Sequence, residues 1–297
     1  MGKFILSADS TCDLYADYTR EHDIRIACLS YTVEKDGALC GEFYDNFTQY
    51  SQYVEFFDLL RGGGFSRTSM LNFEDHYKHF QKIAQEGAKQ ILHFSLSGGL
   101  SGTAAAAKEA AAAISQKFDC KVYVFDSLAA TIACGFLVKE AVRMRDAGCD
   151  AEETIARVAD LRRRLQCWVI ADDLYYLKRG GRVSGAVAAV GTVLQIKPIL
   201  SFTRDGKLAV VDKCKGMKKA YSGALKKMEK YFPVEENRMI WIVHNDAEKQ
   251  AQELADLIEN RFGMRPPVTI MGPVIGSHLG PGAVSVIWTS AEESESC

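Results

Sequence analysis

The sequence predicts an α/β fold in two domains, the first with a mostly parallel sheet and the second with a mixed sheet. Three observations carry this. Short apolar runs at 4–8, 90–94 and 121–125 each end in a polar turn that enters a helical stretch. That alternation gives a parallel sheet with helices on its faces. In the second half, two strand-like runs flank Asp205-Gly206, a hairpin turn that brings in antiparallel pairing. At 297 residues the chain is also long for one core. A joint at Gly148-Cys149-Asp150 and a linking helix over 151–165 set the expected domains at 1–155 and 156–297.

The elements follow in order. Strand 4–8 runs into Asp9-Ser10-Thr11-Cys12-Asp13, which caps a helix over 14–21. Residues 24–28 and 29–33 are extended, and 47–60 is helical until Arg61-Gly62-Gly63-Gly64 breaks it. Residues 65–70, Phe-Ser-Arg-Thr-Ser-Met, are expected as a hydroxyl-rich loop with one cation, before a helix over 73–86. Helix 104–114 is rich in alanine, strand 121–125 ends in Asp126-Ser127, and a helix spans 129–147. The second half opens with strand 167–171 and a basic, glycine-bearing run over 172–183, followed by a small apolar stretch at 186–194. Strands 196–202 and 208–212 make the hairpin. Helix 216–231 carries five lysines on what reads as a solvated face. Strand 240–243, helix 247–261 and strand 268–271 come next, then a second glycine-rich loop at 275–282 and a last strand at 283–287.

One stretch stands out. Ser95-Leu96-Ser97-Gly98-Gly99-Leu100-Ser101-Gly102-Thr103 joins a buried strand to a helix start. Unpaired N–H groups and the helix dipole favour an anion there, and Ser97, Ser101 and Thr103 add hydroxyl donors. An ordinary helix cap with Ser101 as N-cap explains the same residues. Both readings stay open on these residues alone.

Composition excludes several classes. A net charge of −2 gives no electrostatic case for nucleic acid or a membrane surface. No apolar run reaches the ~18 residues of a membrane span. The N-terminus turns polar too soon for a signal peptide, so a cytoplasmic location is expected. The nine cysteines are scattered without a Cys-x-x-Cys pair or zinc-ligand spacing to a histidine. They read as reduced thiols, and neither a metal nor a cofactor is expected. Nucleophile-elbow, phosphate-loop and dinucleotide signatures are absent as well.

Among the histidines, His278 stands between glycines that give it room. As a general base it needs a nucleophile, Ser97 or Thr68, and an orienting acid. A hydrogen-bonding role asks for less. His244 is expected to cap helix 247–261, and His22, His76, His79 and His93 carry no functional weight.

Taken together, the stretches resemble the DegV family of bacterial fatty-acid-binding proteins, over nearly the whole chain. The most specific piece is Leu177-Lys178-Arg179-Gly180-Gly181-Arg182-Val183-Ser184-Gly185-Ala186, continuing through Gly191 to Ile196-Lys197-Pro198-Ile199-Leu200. Asp9-Ser10-Thr11, Leu100-Ser101-Gly102-Thr103, Phe125-Asp126-Ser127 and His278-Leu279-Gly280-Pro281-Gly282 match the others in order. The resemblance implies a non-catalytic protein that holds a long-chain fatty acid of the palmitate, stearate or oleate type. The ligand lies between two α/β domains, its carboxylate held by hydroxyls and its tail in an apolar tunnel. A fatty acid kinase is the implied partner, and acyl phosphate the product. Thr68 and Ser69 align with the family's Thr-Ser pair, Ser97 with a hydroxyl near the carboxylate, and His278 with the head-group histidine. Arg67 and Ser66 stand where the family often has threonine and proline, and Gly98 where it often has a second serine. A Gly98 N–H is then expected to replace one hydroxyl, with Arg67 pairing directly with the carboxylate; a phosphate head group stays open. Lys178, Arg179 and Arg182 form a basic cluster that the carrier reading would use to dock an acidic or phosphate-rich surface of the kinase, and a solvated helix end explains the same residues equally well. The alternative is an enzyme using His278, either an acyl-ester hydrolase or a phosphotransferase like dihydroxyacetone kinase.

Overall fold

The computed structural model describes residues 4–172, 174–184, 196–231 and 239–291. The chain folds into two compact units. The first takes the chain up to Tyr31, Glu42–Thr48 and Thr68–Arg162; the second takes Thr32–Gly41, Gln49–Arg67 and the chain from Arg163 on.

In chain order, β1 (Ile5–Asp9), α1 (Ala16–Glu21) and β2 (Ile24–Ala27) come first, then β3 (Ser30–Lys35) and β4 (Ala38–Tyr44). Next are α2 (Tyr50–Arg61), β5 (Phe65–Ser69), α3 (Phe73–Gln85), β6 (Gln90–Ser95), α4 (Thr103–Lys117), β7 (Lys121–Asp126), α5 (Thr131–Asp146) and α6 (Ala151–Arg164). The remainder comprises β8 (Leu165–Ile170), α7 (Tyr175–Gly180), β9 (Val183–Ser184), β10 (Ile196–Phe202), β11 (Leu208–Lys215) and α8 (Met217–Tyr231). It ends with β12 (Ile240–His244), α9 (Glu248–Phe262), β13 (Val268–Ile270), α10 (Pro273–Leu279) and β14 (Val284–Thr289).

In the first unit, β2-β1-β6-β7 pair in parallel throughout. Nearly every residue of β1 and β6 is buried, as expected of strands covered on both faces. The alanines of α4 bury a small-residue face at Ala107, Ala110 and Ala111 against Phe80, Ile83 and Ile91. Asn72 caps α3 by accepting from the Glu74 and Asp75 N–H groups at 2.8 and 3.1 Å. Asp75 returns the bond to the Asn72 N–H at 2.9 Å, which completes a capping box.

The second unit holds a mixed sheet in the order β13-β12-β14-β8-β10-β11-β9. Its central strands are antiparallel, and parallel pairs stand at both ends. Trp168, Ile242, Val286 and Trp288 of this sheet pack with Tyr221 of α8 and Leu254 of α9. His244 Nδ1 accepts from the Ala247 N–H at 3.1 Å just before α9, the capping role expected of it.

Two expectations are corrected here. Residues 65–69 are a strand rather than a loop, in a sheet of order β4-β3-β5. Phe65, Ser66, Arg67 and Thr68 have the alternating residues of a strand, but the glycine run before them reads as loop. Pairing within the sheet decides the matter, a tertiary effect beyond local composition. Residues 275–279 likewise belong to α10 rather than to a glycine loop. Pro273 starts that helix with its φ preset. Gly276 is tolerated inside it because α2 comes so close that a Cβ would stand 2.8 Å from Phe57 Cζ. The apolar stretch 186–194, and with it Gly185, Ala186 and Gly191 of the glycine-rich motif, lies outside the described residues. No helix among the described residues is long and apolar enough to cross a membrane.

Candidate functional site

Adjacent strands β1, β6 and β7 end at Asp9, Ser95 and Asp126, so the polar turns read from the sequence converge on one sheet edge. Asp9 is fully buried. Its carboxylate accepts from the Ser95 hydroxyl and the Leu96 N–H, both at 2.8 Å, and faces His93 Nε2 at 3.1 Å. Burial pushes the Asp9 pKa up. The His93 hydrogen bond, the nearby imidazoles and the Leu96 N–H outweigh burial and hold it below its ordinary value. An ionised Asp9 therefore pins the backbone one residue before Ser97.

Ser97 is buried, donates its N–H to the Ala129 carbonyl at 3.0 Å, and accepts the Gly99 N–H on its hydroxyl at 3.1 Å. Gly98 donates its N–H to the Asp126 carboxylate at 3.1 and 3.3 Å. A Cβ at Gly98 would stand 2.6 Å from Asp126 Oδ2, so a larger residue there would push that carboxylate aside. Leu100 and Ser101 return their N–H groups to the Ser97 carbonyl. Ser101 accepts the Thr103 N–H and bonds the Thr103 hydroxyl at 2.9 Å. The loop thus spends much of its backbone donor capacity on itself. The Gly98 N–H, expected to stand in for a hydroxyl toward a ligand, is held here by the Asp126 carboxylate.

Strand β5 leads into the same loop. Thr68 is half-buried and Ser69 exposed. Met70 lies against the glycine loop, since a Cβ on Gly102 would sit 3.1 Å from its Sδ. The first unit therefore brings the Thr68-Ser69 segment beside the Ser97–Thr103 segment.

In the second unit, Arg67 is exposed. Its guanidinium lies 4.6 Å from the Phe65 ring centre, and its Nε is 3.5 Å from Glu34. The beginning and end of this unit's chain meet at Ser277, whose hydroxyl donates to that of Ser66 at 2.7 Å. His278 ends α10 against α7, where any Cβ on Gly180 would run into its imidazole. Burial and the nearby Arg182 push the His278 pKa down to about 4, so the ring is neutral at pH 7. This corrects the picture of an accessible loop histidine. Lys178 and Arg179 stand in the last turn of α7, and Arg182 follows it. Arg179 lies 3.5 Å over the Phe65 ring centre, and Arg182 donates to the Gly180 carbonyl.

His76, His79 and His93, expected to carry no functional weight, are gathered together by the first unit. The Ser7 hydroxyl lies 2.8 Å from His79 Nε2 and 2.9 Å from His93 Nδ1. His76 is fully buried, 5.2 Å from His93 between ring centres. Burial, then the neighbouring His93, pushes the pKa of His76 down to about 4; His79 falls to about 3 for the same reasons, with His76 adding to it. Asp9, His76 and His93 each offer a ligand atom within 4.8 Å of the others, the grouping among the described residues that could hold a metal ion. Two signals pointed there: a histidine inside an otherwise apolar strand, and two histidines three apart on one helix.

The chain matches the family model "Uncharacterised protein, DegV family" over residues 3–291. It belongs to the DegV family. A DegV domain-containing protein of Lactococcus lactis is 32% identical over 98% of this chain and 99% of its own. A DegV lipid-binding protein of Thermotoga maritima superposes with a TM-score of 0.83 at 28% identity, covering 98% of this chain and 99% of that one. A DegV protein of Thermus thermophilus, described by its fatty acid binding, gives 0.82 at 29% identity over 98% and 100%. The two-unit α/β architecture is thus that of the DegV structures.

Proposed function

We propose that this DegV protein binds a long-chain fatty acid, with hydroxyls holding the carboxylate and an apolar tunnel burying the tail, and presents it to a fatty acid kinase. The observation that carries the reading is near-complete superposition on DegV proteins described as lipid- and fatty-acid-binding, at 28 and 29% identity. Hydroxyls at Thr68, Ser69 and Ser97 and the histidine at His278 supply the head-group chemistry that the resemblance requires. Arg67 joins them at the carboxylate, because its exposed contact with Glu34 is worth only about 0–1 kcal/mol and yields to a ligand. A carboxylate taken out of water needs such donors. The tail supplies the affinity: about 15 methylenes at roughly 0.8 kcal/mol each offer on the order of 12 kcal/mol before ordering costs.

Catalysis by His278 is not part of this reading. A proton taken up there would sit in a buried site beside the Arg182 cation.

Mass spectrometry of lipid extracted from the purified protein tests the proposal; a C16 or C18 fatty acid in near-stoichiometric amount is expected. A protein that carries no lipid and takes up neither palmitate nor oleate overturns it. Ser97→Ala and Thr68→Val are each expected to weaken palmitate binding roughly 10–150-fold, about 1.5–3 kcal/mol for a hydrogen bond to a charged group, without changing the fold. For the kinase step, Lys178→Glu is the cleaner docking variant, since Arg182 also sets the charge state of His278. It should slow acyl-phosphate formation by an added kinase and leave lipid binding intact.

A further inference from the structure

We propose that Asp9, His76 and His93 form a buried site for one divalent transition-metal ion, Zn²⁺ in the first instance. The three side chains come from β1, α3 and β6, and all are fully buried. Their ligand atoms lie within 4.8 Å of one another, and Asp9 Oδ1 and His93 Nε2 are 3.1 Å apart. Two ligands on one tetrahedral zinc stand about 3.3 Å apart, given bonds of roughly 2.0–2.1 Å. The Asp9–His93 pair is already at that spacing.

His76 is the second, independent observation. Neither of its ring nitrogens makes a hydrogen bond of good geometry among the described residues, although its side chain is fully buried and the Thr103 backbone approaches it. An unpaired buried polar group costs about 1–3 kcal/mol. A metal ion drawing the His76 ring toward Asp9 and His93 removes that cost. One carboxylate and two imidazoles suit a borderline ion such as zinc, with a fourth position for water.

The surroundings fit a metal-binding histidine. A ligating imidazole usually donates its other N–H to a partner that fixes its tautomer. Here Ser7 Oγ stands at His93 Nδ1, with His79 Nε2 behind it. Without an ion, His93 donates its Nε2–H to Asp9, and Ser7 passes a donor chain from His79 to His93 Nδ1. With an ion on Nε2, the chain reverses: His93 Nδ1–H donates to Ser7, and Ser7 donates to His79 Nε2. The net proton count does not change. The Nε2 proton of His93 leaves to solvent, and His79 takes one up on Nδ1. Asp9 also holds the Leu96 N–H, so the ion would stiffen the start of the glycine loop.

The proposal stands apart from the lipid reading, and its test needs no lipid. Full-length protein is purified from zinc-supplemented cells, and a second sample is stripped with chelator and re-equilibrated with ZnCl₂ or CoCl₂. Expected are one zinc per chain by elemental analysis after dialysis, and the visible absorption of tetrahedral Co²⁺. His76→Phe keeps the ring stacked on Phe80 and removes both unpaired nitrogens. It should lose the metal while unfolding no more easily than the chelator-treated parent. Should His76→Phe fail to fold, Asp9→Asn carries the same comparison. No retained metal under either loading overturns the proposal, and so does one zinc per chain that persists in the folded variant, which would place the ion elsewhere.

Discussion

His278, half-buried, and Asp45, buried, are groups whose protonation differs between folded and unfolded chain, and they tilt stability in opposite directions. His278 has its pKa pushed down to about 4 by burial and Arg182, against an ordinary 6.5. The unfolded chain binds its proton more readily between those values, so this residue's contribution is intact above pH 6.5 and lost as pH falls toward 4. Asp45 is the reverse case. Burial raises its carboxyl to about 6 despite the Ser10 hydroxyl that donates to it at 2.8 Å. The folded chain therefore holds that proton more tightly, and Asp45 costs stability as pH rises from 4 through 6. Urea unfolding at pH 7.0, 5.5 and 4.0 checks both. His278→Asn should flatten the acid side by on the order of 2 kcal/mol, allowing for the ring's partial exposure. Asp45→Asn should stabilise the protein at pH 7 by on the order of 2–3 kcal/mol and gain little at pH 4. Unchanged slopes in both variants would show that neither group titrates where its surroundings place it.

At the level of the element, α3 carries both a capping box at its start and histidines whose role the sequence hides. Asn72 with Asp75 three residues on is a capping box, and Asn72→Ala should cost about 1 kcal/mol, read as a lower denaturation midpoint at constant slope. Because His76 and His79 sit in the next turns, that variant should also speed amide exchange around them, and no change there would mean the cluster holds the helix without its cap. Helices and buried strands were legible because their periodicity is local: the parallel runs at Asp9, Ser95 and Asp126, the Asp205-Gly206 hairpin and the lysine face of α8 all read correctly. Asp36-Gly37 carries the same turn signal, with both residues at positive φ, but the exposed Ala-Leu-Cys-Gly-Glu-Phe-Tyr run of β4 lacks the alternation that marks a strand. Strand β5 and helix α10 were missed for another reason, since glycines beside them look like loop until a neighbour explains them. Within the candidate site, hydroxyls were readable as types, but not the fact that Asp126 takes the Gly98 N–H. A twenty-eight-residue separation leaves no pattern for that pairing.

For the whole molecule, the proposed function makes stability depend on a ligand's length more than on its head. A ligand that binds only the folded chain stabilises it by about 2.7 kcal/mol when free at roughly 100 times its Kd. If the tail is buried methylene by methylene, each added CH₂ contributes about 0.8 kcal/mol until the tunnel is full. Four methylenes, from myristate to stearate, should then tighten binding by about two orders of magnitude. Replacing the carboxylate by an alcohol of equal length removes charge-assisted bonds worth about 1.5–3 kcal/mol each and should lower affinity at every length without changing the slope. Delipidated protein titrated with saturated acids of rising length, and with the matching alcohols, separates the two contributions. A plateau marks the length the tunnel accommodates. Affinity independent of length but dependent on the head would place the binding energy in the Thr68, Ser69 and Ser97 hydroxyls, and the chain would then be a carboxylate receptor rather than a lipid carrier.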